Sequence, residues 1–254
     1  MSVQEEFAAI AREDGRAALV TVLRGEHAGE KLLMRADGST EGTLGDPELD
    51  AQGRADADEL MWKEPEVRGD LFVDVTHPDP RIIIFGAVEY AAHLSALARI
   101  AGWRPYVVDP RQRFATPERF PQAMGVIADW PEKAFEQLGA IDRATYITVL
   151  THDPKLDDAA LTMALRSDAP YIGAMGSTRA QAERRERLLA AGVTEEELPR
   201  ISAPIGLDLG ATLAAEMAVS IMAELIAVRH GHEGGRLSQA KGGPIHKVAA
   251  GDAT

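Results

Sequence analysis

Four short segments of this 254-residue chain carry residue types that could hold a ligand or act on one: Gly86, Asp109 with Arg111 and Arg113, Thr151-His152-Asp153, and Gly173-Ala174-Met175-Gly176-Ser177 with Arg179. Gly86-Ala87-Val88-Glu89 occupies the place of a dinucleotide-binding turn but lacks its second and third glycines, and Glu89 would compete with a phosphate for the first helical amides. A tight strand-to-helix connection without a ligand fits it as well. Asp109, 23 residues after Gly86, stands where an acid accepts hydrogen bonds from a ribose, and Arg111 and Arg113 could hold a phosphate beside it. The alternative is a turn whose arginines pair with surface acids. His152 could serve as a ligand, a proton-transfer group or a hydrogen-bonding handle, whereas Asp153 before Pro154 reads as a helix N-cap. Around Gly176, two glycines, a capping hydroxyl on Ser177 and the Arg179 guanidinium suit a phosphate or carboxylate. The plainer reading makes Ser177 an N-cap and pairs Arg179 with Glu183 one turn on.

These segments need elements to place them. From Arg81 onward, apolar strands alternate with helices: 81–85, 106–109, 124–127, 145–150 and 171–173 read as strands, and 90–101, 132–137, 157–165, 177–191 and 213–228 as helices. That alternation predicts a parallel sheet covered on both faces, with each candidate loop at a strand's carboxyl end. Before it, residues 5–12 read as a helix, 17–23, 31–35, 41–44 and 71–75 as strands, and 46–59 as a weakly patterned helix. The fold class expected is α/β, a Rossmann-like parallel-sheet domain over 78–233 preceded by a small α+β domain over 1–77. Residues 234–254 have no period and read as a mobile tail.

Charge separates the same two regions. The chain has 27 Lys and Arg against 40 Asp and Glu, a net charge of −13, and residues 1–80 alone hold 19 acids and 8 bases. The step falls near Pro78-Asp79-Pro80, where two prolines oppose a helix. The acidity argues against a nucleic-acid partner, and the nearly neutral remainder could hold an anion. Zero cysteines exclude disulfide scaffolds, thiolate metal sites and a thiol nucleophile. The acidic start suggests no targeting segment. The longest apolar run, 221–228, is interrupted by Glu224 and is too short to span a bilayer, so a cytoplasmic protein away from membranes is expected. His93 reads as helix packing, and His230-Gly231-His232-Glu233 lacks a third fixed metal ligand. Neither a nucleophile elbow nor a Gly-Lys-Ser/Thr phosphate loop is present.

Val107-Val108-Asp109-Pro110-Arg111, Glu118-Arg119-Phe120-Pro121, Thr151-His152-Asp153, Tyr171 to Ser177, and Pro204-Ile205-Gly206-Leu207-Asp208-Leu209-Gly210-Ala211 followed by Glu216 to Ile221 together resemble, in order, the XdhC/CoxI family of accessory factors for molybdenum hydroxylases such as xanthine dehydrogenase. The likeness covers about residues 15–230. It implies a Rossmann-type domain that binds molybdenum cofactor (molybdopterin, or a nucleotide form of it), shelters it while a cysteine desulfurase installs its sulfido ligand, and delivers it to the apoenzyme, with the chain acting as a homodimer and a chaperone rather than a catalyst. On that reading Gly176, Ser177 and Arg179 take the pterin phosphate, His152 and Asp208 lie near the organic part, Gly86, Asp109, Arg111, Thr151, Gly173 and Gly206 complete the cofactor-binding set, and the acidic front unit meets the acceptor enzyme. The chain departs from the family pattern in having Gly86-Ala87-Val88-Glu89 where Gly-x-Gly-His is usual, and in running from Gly42-Thr43-Leu44-Gly45 into Asp46-Pro47 with no cysteine. An NAD(P)-dependent oxidoreductase using Asp109, and a Rossmann-like interaction protein without a small ligand, are the alternatives.

Overall fold

The computed structural model describes residues 2–76 and 79–239. The chain divides into two compact units between Arg81 and Ile82; Pro78, at the expected boundary, and residues 240–254 of the expected tail lie outside the described residues.

The first unit opens with helix α1 (Val3–Arg12), started by a capping box in which Ser2 Oγ accepts from Glu5 N and Glu5 accepts from Ser2 N. Strands β1 (Ala17–Val22), β2 (Lys31–Arg35) and β3 (Thr40–Thr43) follow, then helix α2 (Pro47–Leu60) and strands β4 (Glu66–Arg68) and β5 (Leu71–Val75). The five strands form an antiparallel sheet in the order β3-β2-β1-β5-β4. Alternation along β1 sends Ala17 and Leu19 to a face closed by Val3, Phe7 and Ile10 of α1, and Ala18, Val20 and Val22 to a face closed by Ala57 and Leu60 of α2. Asp46 caps α2 by accepting from Glu48 N and Leu49 N, with Pro47 in the first turn.

The second unit runs β6 (Arg81–Phe85), α3 (Glu89–Ile100), β7 (Arg104–Val108), β8 (Gly125–Ile127), α4 (Pro131–Leu138), β9 (Thr145–Val149), α5 (Pro154–Leu165), β10 (Tyr171–Ala174), α6 (Thr178–Ala190), β11 (Ile201–Ser202) and α7 (Ala214–Arg229). The sheet is parallel, in the order β11-β10-β9-β6-β7-β8. Helices α3 and α7 bury Ala91, Leu94, Ala98, Ile221 and Leu225 against Ile82, Ile84 and Val107 on one face. On the other, α4, α5 and α6 bury Phe135, Leu161 and Leu188 against Ile83, Phe85, Val108 and Ile147. Burial on both faces is why these strands read as continuous apolar runs rather than alternating ones. Strand order reverses between β6 and β9, and in such sheets ligands settle in the crevice at the carboxyl ends of the strands flanking that point. Gly86 and Thr151 lie just past the ends of those two strands. None of the helices is long and apolar enough to cross a membrane among the described residues.

Candidate functional site

At the end of β6, Gly86 adopts φ +116°, and a Cβ there would stand 2.4 Å from Thr151 Cγ2. Glycine thus lets the turn close onto the end of β9. The next amide, Ala87 N, donates to Asp109 Oδ2 at 2.8 Å, so the amide at the start of the βα turn meets the protein's own carboxylate. Asp109 is fully buried and takes four donors: Ala87 N, Arg111 N (2.9 Å), Arg111 Nε (2.9 Å) and Arg111 Nη2 (2.7 Å). Burial works against the anion, but the Arg111 guanidinium and the two amides outweigh it and hold the carboxyl below its ordinary value. A carboxylate has about four acceptor positions, all of them used here. The acid placed by spacing on a ribose spends its hydrogen-bonding capacity inside the protein, tying the Gly86 turn to the end of β7.

The end of β9 is anchored differently. Thr151 donates its hydroxyl to Asp157 Oδ1 on α5, and Asp157 Oδ2 accepts from Arg184 Nη2 on α6 at 3.2 Å, with side-chain exposures of 5% for Arg184 and 3% for Asp157. Arg184 Nη2 also donates to Met175 O at 2.8 Å, and Arg184 Nη1 to Gln181 Oε1, whose amide nitrogen donates to Gly176 O at 3.1 Å. Arg184 Nε is buried with no hydrogen-bond partner among the described residues. One buried ion pair thereby secures both the Thr151 loop and the Met175-Gly176 loop. Burial raises the Asp157 carboxyl above its ordinary value, more than Thr151 and Arg184 lower it. Asp153 caps α5 by accepting from Lys155 N at 3.0 Å, which leaves His152 between a tethered threonine and a capped helix.

At the end of β10, the third wall is built from residues 204–207. Glu224 of α7 accepts from the Tyr171 hydroxyl and, at 2.6 Å, from Gly206 N. Ser220 Oγ donates to Leu207 O at 2.5 Å, and Leu207 N donates to Ser220 O at 3.2 Å. Gly206 has φ +103°, and a Cβ there would sit 2.5 Å from Ser220 Oγ, so only glycine lets the loop lie this close to α7. Burial, reinforced by Glu224, pushes the Tyr171 hydroxyl well above its usual value and keeps it a donor.

These three walls enclose a cavity of about 260 Å³ lined by His152, Met175, Gly176, Pro204, Ile205 and Met217. Its lining is almost wholly apolar, with one imidazole. The structure therefore brings together His152, Gly176 and the 204–206 loop, with Thr151 and Gly173 behind them. It does not bring in Arg179, whose side chain is 89% exposed and paired with Glu183 at 3.0 Å, or Asp208, which is exposed in a turn with Gly210 N. Ser177 caps α6 through Ala180 N. No group of three or more His, Cys, Asp or Glu suited to a metal ion occurs among the described residues. Sequence reasoning passed over the residues that hold the walls, Asp157, Arg184 and Glu224. Only Glu224 left a signal, as the single charge inside the longest apolar run.

A doubly wound parallel sheet with an apolar cavity at the carboxyl ends of its strands defines a Rossmann-type domain. Comparison with known proteins narrows that class. Residues 82–225 match the XdhC Rossmann domain and residues 10–68 the XdhC and CoxI family; the chain belongs to this family. It is 31% identical over 159 residues (63% of this chain, 46% of the relative) to a Bacillus subtilis protein described as a probable xanthine dehydrogenase subunit. It is 28% identical over 152 residues (60% and 41%) to the molybdenum cofactor insertion chaperone PaoD of Escherichia coli. A crystal structure described as a xanthine dehydrogenase from Bacillus halodurans shares the fold, with a TM-score of 0.63 and 24% identity over 89% of this chain and 66% of that one. The chain spans less than half the length of the curated relatives.

Proposed function

We propose that this protein is a molybdenum cofactor chaperone: it receives the cofactor as cargo, shelters it while a cysteine desulfurase supplies the sulfido ligand, and passes it to the apoenzyme of a xanthine dehydrogenase-type molybdenum hydroxylase. The observation that carries this reading is the apolar cavity at the carboxyl ends of β9 and β10, in a chain related to a protein named as a cofactor insertion chaperone. A flat heterocycle suits walls of thioether and aliphatic carbon, and the two methionines, Met175 and Met217, adapt their shape to it. His152 supplies the one side-chain polar contact at the wall, to orient the ring. With no cysteine in the sequence, this chain carries no persulfide of its own. Its part is to bind and orient, and sulfur passes from the desulfurase to the cargo. The exposed apolar side chains Leu209, Leu213, Val219 and Ile226, on and before α7, support the homodimer that belongs to the same reading.

The test is mass spectrometry of the full chain purified without oxygen, alongside a Met217→Trp variant that fills the cavity. Wild type should retain a pterin and Met217→Trp should lose it, with transfer to the hydroxylase apoenzyme lost in parallel. A wild-type chain that neither retains a pterin nor takes up added molybdopterin removes the reading.

A further inference from the structure

The loop after β7 gathers three cations on one ring. The guanidinium carbons of Arg111, Arg113 and Arg119 lie 5.1, 5.1 and 5.4 Å from the Phe114 ring centroid, and Phe114 itself is half-buried against the core. The three charges therefore stand within about one Debye length of one another at 0.1 M salt. Arg111 is neutralised by Asp109 at 2.7 Å. Arg119 spends one N–H on Phe114 O at 3.0 Å, while Arg113 has no hydrogen bond or ion pair among the described residues. Glu118, adjacent in sequence, is held by its own amide and the Thr116 hydroxyl, with no arginine acting on it. Arg113 and Arg119 thus keep roughly nine uncommitted N–H donors between them, close together, in a chain of net charge −13. Stacking on Phe114 fixes where two mutually repelling cations sit without neutralising either, an arrangement that favours a bound anion.

Its location matters as much as its charge. In doubly wound sheets the loop after the second strand lies along the ligand crevice, beyond the switch point. Phe114 packs on the same core cluster as the cavity residues Met175 and Ile205, and the Asp153 carboxylate, next to the cavity residue His152, favours the charged form of Arg111, so the arginine loop and the cavity wall share one end of the sheet. The cavity, at about 260 Å³, falls below the roughly 300–1,000 Å³ of whole-ligand sites, so a larger ligand must extend out of it.

We propose that Arg113 and Arg119, mounted on Phe114, form a subsite for a diphosphate group, the anionic part of a ligand whose ring system occupies the cavity lined by His152 and Met217. This rests on the functional reading above for the ring system but not for the diphosphate. The subsite also replaces Gly176, Ser177 and Arg179 as the place where the ligand's phosphate is held.

The experiment is isothermal titration of the full chain with inorganic pyrophosphate at low and physiological salt. Wild type should bind it; Arg113→Ala and Arg119→Ala should each weaken binding about tenfold and leave the melting temperature unchanged, both side chains being exposed. Arg54→Ala, which removes a charge from the first unit, should bind as wild type does. Absent pyrophosphate binding, unchanged affinity in the two loop variants, or an equal loss in Arg54→Ala would overturn the proposal, the last showing diffuse attraction only. Pyrophosphate binding through these arginines in a chain that neither retains a pterin nor takes up added molybdopterin would sink the chaperone reading and leave the subsite standing.

Discussion

The buried pair of Asp157 and Arg184 offers the sharpest test of how the site is held. Arg184→Met removes the cation from a 5% exposed position and leaves the Asp157 carboxylate buried with the Thr151 hydroxyl. Breaking one side of a buried pair costs about 3–5 kcal/mol, which in a unit of this size lowers the melting temperature by roughly 6–20 °C. Burial already outweighs the partners of Asp157 and raises its carboxyl, so the ionised pair is under-compensated. The double variant Asp157→Leu/Arg184→Met should therefore recover to within about 1 kcal/mol of wild type or exceed it. Recovery of the fold should not restore the site, because Thr151 and the Met175 carbonyl have lost their anchors; pterin retention should stay low. A carboxyl whose folded-state value lies above its unfolded one contributes fully below the unfolded value and less as pH rises through the folded one. Wild type should accordingly lose ground to the double variant as pH climbs from about 4. Thermal melts and urea midpoints by circular dichroism measure all of this. A loss under about 1 kcal/mol in Arg184→Met, or a double variant as unstable as the single, refutes the account.

Three further outcomes follow from local geometry. Gly86→Ala places a methyl 2.4 Å from Thr151 Cγ2 at φ +116° and should cost about 1–3 kcal/mol in urea unfolding; equal stability would show that the turn relaxes freely. Asp109→Asn keeps the shape but replaces the oxygen that accepts from Ala87 N and Arg111 Nη2 with an NH2 donor, so a loss of about 1.5–3 kcal/mol is expected by the same assay. In the first unit, hydrogen bonds from Arg68 and then Lys63 lower Glu59 from 4.5 to about 2. Its stabilising contribution is present above 4.5 and fades as pH falls toward about 2. A carbon-13 titration of the Glu59 carboxyl should show this, with Arg68→Ala returning the midpoint toward 4.5.

The elements that carry the site were legible because burial on two faces writes long apolar strands, and because caps write themselves locally: Asp153 before Pro154 and Ser177 before α6 act as their types and positions imply. The strands that escaped notice, β4 and β11, each lie at a sheet edge. β4, Glu66–Arg68, is short and largely exposed, and β11 has two residues, so neither carries an apolar pattern. At the site, residue type misled where partners were internal. Asp109 and Arg111 have the spacing of a ribose contact, yet each satisfies the other. Arg184 sits in Glu183-Arg184-Arg185-Glu186-Arg187, where nothing local separates the one buried arginine from its solvated neighbours. That distinction arises only when α6 packs beside α5 and meets Asp157.

The tethering of the β9 loop also bears on how quickly and cheaply a ligand is captured. Thr151 is fixed by Asp157 and packs against Gly86, and Asp153 is fixed by the first turn of α5. His152 therefore has its backbone set from both sides and only its own two side-chain torsions free. A loop preorganised in this way spares binding the roughly 1–2 kcal/mol that fixing one mobile backbone residue takes and leaves only the imidazole to be ordered, so residence of a ligand is governed by what it touches rather than by a loop that must first assemble around it.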